Sequence, residues 1–103
     1  MNKLLFALSL AKKSGKLIYG SDRVKDAVRK ESAYLVLTAS DLSVKTRENT
    51  EYFTNGKVPF YNTTLSQFDL SQVTGRLRGV LAVTDKNLAA LCMNAIKETE
   101  GER

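Results

Sequence analysis

Two short apolar runs constrain this chain more than any other feature: Ala33-Tyr34-Leu35-Val36-Leu37-Thr38 and Gly79-Val80-Leu81-Ala82-Val83-Thr84. Each is β-favouring and almost unbroken in apolar character, as expected of a central strand covered on both faces. Segments of helical period surround them. Residues 2–14 place Leu4, Ala7, Leu8 and Ala11 at i, i+3, i+4, i+7 spacing, with Lys3, Lys12 and Lys13 off that stripe. This predicts an amphipathic helix, stopped by Ser14-Gly15. Lys16-Leu17-Ile18-Tyr19-Gly20 reads as a short strand, and Ser21 or Asp22 can cap a second helix that buries Val24, Ala27 and Val28.

Ala39-Ser40-Asp41 is suited to opening a third helix that runs to about Phe53 and stops at Asn55-Gly56. Val58-Pro59-Phe60-Tyr61 is a third strand, placed at an edge because Pro59 has no N–H to give. Thr64 to Val73 reads as a fourth helix closed by Thr74-Gly75. Asp85 opens a final helix with Leu88, Leu91, Cys92, Ala95 and Ile96 as its buried stripe, followed by a charged, frayed tail from Glu98 to Arg103. Connections of about ten residues between strands call for crossovers and for helices on both sheet faces. The expected fold is therefore α/β, a three-layer α-β-α sandwich around a four-stranded mixed sheet with about five helices. At 103 residues and 43% apolar content, one domain spanning 1–103 with one core is expected.

Composition removes several function classes. Histidine is absent, which takes away the usual general base near neutral pH, every Ser/His or Cys/His pair, and the commonest metal ligand. The single Cys92 allows neither an internal disulfide nor a zinc ribbon, and a reducing, cytoplasmic setting is expected. No apolar run reaches the ~18–20 residues of a membrane span, and Leu4 to Ala11 is followed by Lys12 and Lys13, so it reads as a helix and not a secretion signal. No Walker loop, GxGxxG or carboxylate pair at useful spacing appears. The chain is expected to be no enzyme, with no cofactor, no metal and no small-molecule substrate.

The net charge is +5, and its distribution says more than its sum. Residues 1–33 hold eight basic side chains (Lys3, Lys12, Lys13, Lys16, Arg23, Lys25, Arg29, Lys30) against three acidic ones (Asp22, Asp26, Glu31), whereas the rest of the chain is balanced. Such an excess attracts polyanions to whatever surface it forms, although the same lysines also serve solubility.

In a wound sheet, ligands gather where helix N-termini follow strand ends, because the first N–H groups there are unpaired and partly positive. Three junctions qualify. In Gly20-Ser21-Asp22-Arg23 the glycine admits a close backbone approach, Ser21 can donate to a phosphate or base edge, and Arg23 and Lys25 supply charge, with Lys16 flanking the same edge. An ordinary turn with a helix cap explains the same residues. In Gly75-Arg76-Leu77-Arg78-Gly79 two arginines can make bidentate phosphate or guanine contacts and an exposed Leu77 can pack on an unstacked base. An apolar tip between two guanidiniums has little structural use. The third junction, Thr38-Ala39-Ser40-Asp41 with Lys45, is explained well enough by capping. Asp85 likewise reads as a cap, Cys92 as core, and Tyr19, Tyr34, Tyr52 and Tyr61 as packing residues.

The segment from Leu4 to Gly20 resembles the opening of the bacterial YlxQ-like branch of the kink-turn RNA-binding ribosomal protein superfamily. Leu35 to Ser43, Val58-Pro59-Phe60 and Val80 to Asp85 match the same branch in order and spacing, so the resemblance covers nearly the whole chain. It implies an α-β-α sandwich that binds structured RNA, typically a kink-turn, without catalysis or a cofactor. Two segments carry the RNA in such proteins: the strand-to-helix turn whose glycine is matched by Gly20, and the loop before the last strand, matched by Arg76, Leu77 and Arg78.

The first segment departs from the family pattern of a glycine followed by amide, basic or acidic residues and a lysine. Asp22 stands at the amide or basic position, Arg23 follows, and Asp26 replaces the lysine. Carboxylates cannot donate to guanine O6 or phosphate, so this departure bears on kink-turn recognition more than on RNA binding in general. The expected RNA-binding residues are Lys16, Gly20, Ser21, Arg23, Lys25, Arg76, Leu77 and Arg78. The expected partner is structured RNA, ribosomal RNA included, bound by a monomer. The alternative is a protein–protein interaction module on the same fold with reduced RNA binding.

Overall fold

The computed structural model describes residues 2–99. In chain order the elements are α1 (Lys3–Lys13), β1 (Leu17–Tyr19), α2 (Ser21–Arg29), β2 (Leu35–Thr38), α3 (Val44–Thr54), β3 (Phe60–Asn62), α4 (Gln67–Thr74), β4 (Val80–Val83) and α5 (Lys86–Thr99). The four strands form one mixed sheet in the order β1-β4-β2-β3. β4 is antiparallel to both β1 and β2, while β2 and β3 are parallel. Consequently β1, β2 and β3 all end at the edge where β4 begins. Pro59 sits just before β3, which is an edge strand as its proline predicts.

The alternation of side chains along the central strands divides the core in two. Leu35, Leu37, Leu81 and Val83 face one side, where they pack with Leu4, Leu8, Leu70, Cys92 and Ile96 of α1, α4 and α5. Val36, Val80 and Ala82 face the other, against Val24, Val28 and Phe53 of α2 and α3. This is the expected three-layer arrangement, and both central strands are buried at every residue. α1 packs chiefly on α5, and an ion pair between Lys3 and Glu98 joins their ends.

Several helix boundaries differ from expectation. α2 is preceded by Gly20, not capped by Ser21 or Asp22, and no side chain caps it. α3 begins at Val44, where the Ser43 hydroxyl accepts from the N–H of Thr46, so Ser40 and Asp41 lie in a turn ahead of it. α4 begins three residues later than expected, at Gln67, because Ser66 and Asp69 form a capping box. Within α5, Leu91 is exposed and Ala89 is buried in its place. The close packing of α5 on α1 favours the smaller side chain. Asp85 caps α5 as read, its Oδ2 accepting from the N–H of Leu88 at 2.8 Å. The expected frayed tail from Glu98 includes two residues that are helical, Glu98 and Thr99; the remainder, 100–103, lies outside the described residues.

Candidate nucleic-acid interface

The edge where three strands end and one begins gathers all three junctions around the start of β4. The N–H of Gly20, leaving β1, donates to the carbonyl of Val80, entering β4, at 2.9 Å. On the other side of β4 the N–H of Ala39 donates to the carbonyl of Gly79, also at 2.9 Å. The loop from Gly75 to Gly79 is thus seated between the exits of β1 and β2.

At the first segment, Gly20 has φ 108° and ψ 133°, a conformation that an L side chain adopts only under strain, and nothing lies within 4 Å of where its Cβ would be. The backbone is therefore open to approach. α2 takes its first internal bond from the N–H of Val24 to the carbonyl of Gly20. The N–H groups of Ser21, Asp22 and Arg23 precede that bond, and no side chain caps them. Asn2, Ser43, Ser66 and Asp85 cap the other four helices, so among the described residues α2 alone offers a bare positive end. Ser21 and Lys25, four residues apart, share an exposed face of this helix.

At the second segment, Gly75 takes the left-handed conformation (φ 78°) that ends α4. Arg76, Leu77 and Arg78 follow, all exposed, with Leu77 at 66%. The loop is held from below by a residue that the sequence reading passed over. The buried Thr74 hydroxyl donates to the carbonyl of Arg76 at 2.7 Å and accepts from its N–H at 3.2 Å. Thr74 preceded a glycine stop signal and was legible only as the end of a helix.

The third junction supports the other two. Asp41 accepts from the N–H of Gln67 at 2.9 Å, adding a second carboxylate to the start of α4. Leu42 packs so closely on Gly79 that a Cβ there would lie 2.4 Å from Leu42 Cδ1. Beneath it, the Thr38 hydroxyl donates to Asn62 Oδ1 at 2.7 Å and the Thr63 hydroxyl donates to the Thr38 carbonyl at 2.9 Å, pinning the ends of β2 and β3 together. Capping explains Asp41, as read, although the helix it caps is α4.

One expected site residue stands elsewhere. Lys16 precedes β1 and so lies at the opposite end of the sheet from Gly20, a separation of about 13 Å at the usual rise per strand residue. Arg23, in the first turn of α2, also lines a groove with Ile18, Asp26, Lys30, Ser32 and Thr84 beside β1. The structure brings Gly20, and with it the first turn of α2 from Ser21 to Arg23, beside the loop that carries Arg76, Leu77 and Arg78; Lys25 stands one turn further along α2 on its exposed face.

Among the described residues no group of three or more His, Cys, Asp or Glu side chains could hold a metal ion, and no helix is long and apolar enough to cross a membrane. Burial pushes the Cys92 thiol up to about 11 by desolvating the thiolate, which leaves it a core residue.

Comparison with known proteins bears on the fold and the family. No curated protein sequence is significantly similar to the chain. Among solved structures, a protein of unknown function from Bacillus halodurans C is similar at 26% identity with a TM-score of 0.80, over 90% of this chain and 99% of that one. The Giardia lamblia 15.5kD RNA binding protein shares the fold at 16% identity with a TM-score of 0.77, over 96% of this chain and 86% of that one. Residues 2–94 match the model of the ribosomal protein L7Ae/L30e/S12e/Gadd45 family. The chain therefore belongs to that family.

Proposed function

We propose that this chain binds folded RNA in the cradle formed by the start of α2 and the loop from Gly75 to Gly79. The supporting observation is the Gly20–Val80 hydrogen bond, 2.9 Å long, which makes two segments some sixty residues apart one surface. Lys25, Arg76 and Arg78 hold phosphates, Arg76 and Arg78 with the bidentate geometry of guanidinium. Leu77, exposed at the loop tip, packs on an extruded nucleotide. The bare N–H groups of α2 and the Ser21 hydroxyl donate to base edges or phosphate oxygens.

Asp22 gives the first turn of α2 an acceptor where the family pattern has a donor. An ionised carboxylate repels phosphate but accepts from exocyclic amines, cytosine N4 above all. The RNA preferred here is thus one that presents an amine to Asp22, and a generic kink-turn is bound less tightly than a site with that feature.

Ultraviolet crosslinking of the intact chain to cellular RNA, followed by mass spectrometry of the adducts, tests the reading. Adducts should concentrate in residues 20–25 and 75–79. Adducts spread evenly over the surface, or confined to α5, would contradict it.

A further inference from the structure

The basic surplus of the first third does not collect at the cradle. α1 runs toward the opposite end of the sheet, β1 leaves that end, and α2 returns to it, so Lys12, Lys13, Lys16, Arg29 and Lys30 all stand at the far pole. The corner carrying the first three is firmly built. The Lys16 N–H donates to the Ala11 carbonyl at 2.8 Å around a left-handed Gly15 (φ 71°), while the Lys16 carbonyl accepts from the N–H of Thr84 at 2.8 Å and from its hydroxyl at 3.2 Å. This second bond sets the corner against the end of β4, where Lys86 begins α5. From there a groove runs beside the edge strand β1, lined by Arg23 and Lys30 and by Ser32 and Thr84, whose hydroxyls donate to the carbonyls of Ala27 and Lys16.

The acids nearby are largely engaged. Asp26, which also lines the groove, pairs with Lys30 at 3.1 Å, and Asp85 is occupied in capping α5. Glu31 remains exposed. Lys12, Lys13, Lys16, Arg23 and Lys86 have no acidic partner among the described residues. Placement at the C-terminus of α1 complements the helix dipole for Lys12 and Lys13, but gives no reason for the other three.

We infer that this pole is a second RNA-binding surface, one that holds the phosphate backbone of a plain duplex without reading its bases. Lysine is a point charge on a flexible stem and grips phosphate without a fixed geometry, which suits positioning and not sequence readout. Because the pole faces away from the cradle by the length of the sheet, the chain bridges two RNA segments. The bridging rests on the cradle reading; the second surface does not.

Two measurements on the intact chain separate these. In the first, free protein is titrated with a 20-base-pair RNA duplex lacking internal loops, at several salt concentrations. Lys12→Gln/Lys13→Gln/Lys16→Gln should weaken binding at least fivefold and flatten the slope of log K against log salt by about 2 to 3. Lys3→Gln/Lys45→Gln/Lys97→Gln, with the same change in net charge, should weaken it less than twofold. Equal losses in the two variants would overturn the second surface. In the second, protein held on an immobilised kink-turn hairpin is offered the labelled duplex. The wild type should capture it and the first variant should not, at equal occupancy of the hairpin; capture undiminished in that variant would overturn bridging. A wild type that ignores the hairpin would remove the cradle reading, and the titration would still decide the pole.

Discussion

The N–H of Gly20 and the carbonyl of Val80 are 2.9 Å apart, and through them the turn before α2 is fastened to the strand that the arginine loop feeds. Gly20 holds its position at φ 108° with open space around it. Gly20→Ala therefore acts through backbone strain and not through a clash, at a cost of about 1–3 kcal/mol. A lower urea midpoint with an unchanged m-value is expected, together with weaker RNA binding as the turn shifts. An unaltered midpoint and affinity would mean that the left-handed turn has no such role.

Thr74 holds Arg76 by both of its backbone groups. Thr74→Val keeps the shape and removes the hydroxyl. Stability should fall by about 1 kcal/mol, since the exposed backbone of Arg76 can turn to water. RNA affinity should fall several-fold because the loop loses its preset conformation. Faster hydrogen exchange at residues 75–78 would report the same loosening, and an unchanged exchange rate there would count against it.

Leu42 and Gly79 form a packed pair across the third junction. Gly79→Ala forces Leu42 aside and should destabilise by about 1–3 kcal/mol. Combining it with Leu42→Ala should recover part of that loss, giving a favourable coupling energy in a double-mutant cycle. Strict additivity of the two losses would show that the contact is not what excludes a side chain at residue 79.

Cys92 is fully buried, and its thiol is pushed up from 9.0 to about 11. The unfolded chain ionises first as pH rises, so this group's effect on stability is neutral below pH 9 and destabilising between pH 9 and about 11. The full effect is on the order of 2–3 kcal/mol. Cys92→Ala should be less stable at pH 7 for its lost packing, yet lose less further stability than the wild type on going to pH 10.5. Parallel losses would show that the thiol is not desolvated.

The order of elements was legible because continuous apolar runs and helical stripes are local properties, and Val80 to Val83 and Leu35 to Thr38 are buried as their composition requires. Helix starts were harder to read. Ser40, Asp41 and Ser43 compete as caps within four residues, and the choice is settled by Gln67, whose N–H reaches Asp41 from 26 residues away. Leu91 was misread because the stripe Leu88-Leu91 and the stripe Ala89-Cys92 differ by less than a third of a turn, and only the approach of α1 selects the smaller one. The two segments proposed to bind RNA stand out in the sequence by their glycines and charge. That Lys16 belongs to the opposite pole follows from strand direction, which β1 alone does not reveal.

The central claim is that the arginine loop and the start of α2 bind RNA together. The most direct measurement is the affinity for a kink-turn hairpin, across a range of salt, of the wild type, Arg76→Ala/Arg78→Ala and Lys97→Ala. The double variant is expected to lose tenfold or more in affinity and to show a salt slope shallower by about 2, while Lys97→Ala changes affinity less than twofold. Equal losses in the two variants, or wild-type binding that ignores salt, would contradict the account.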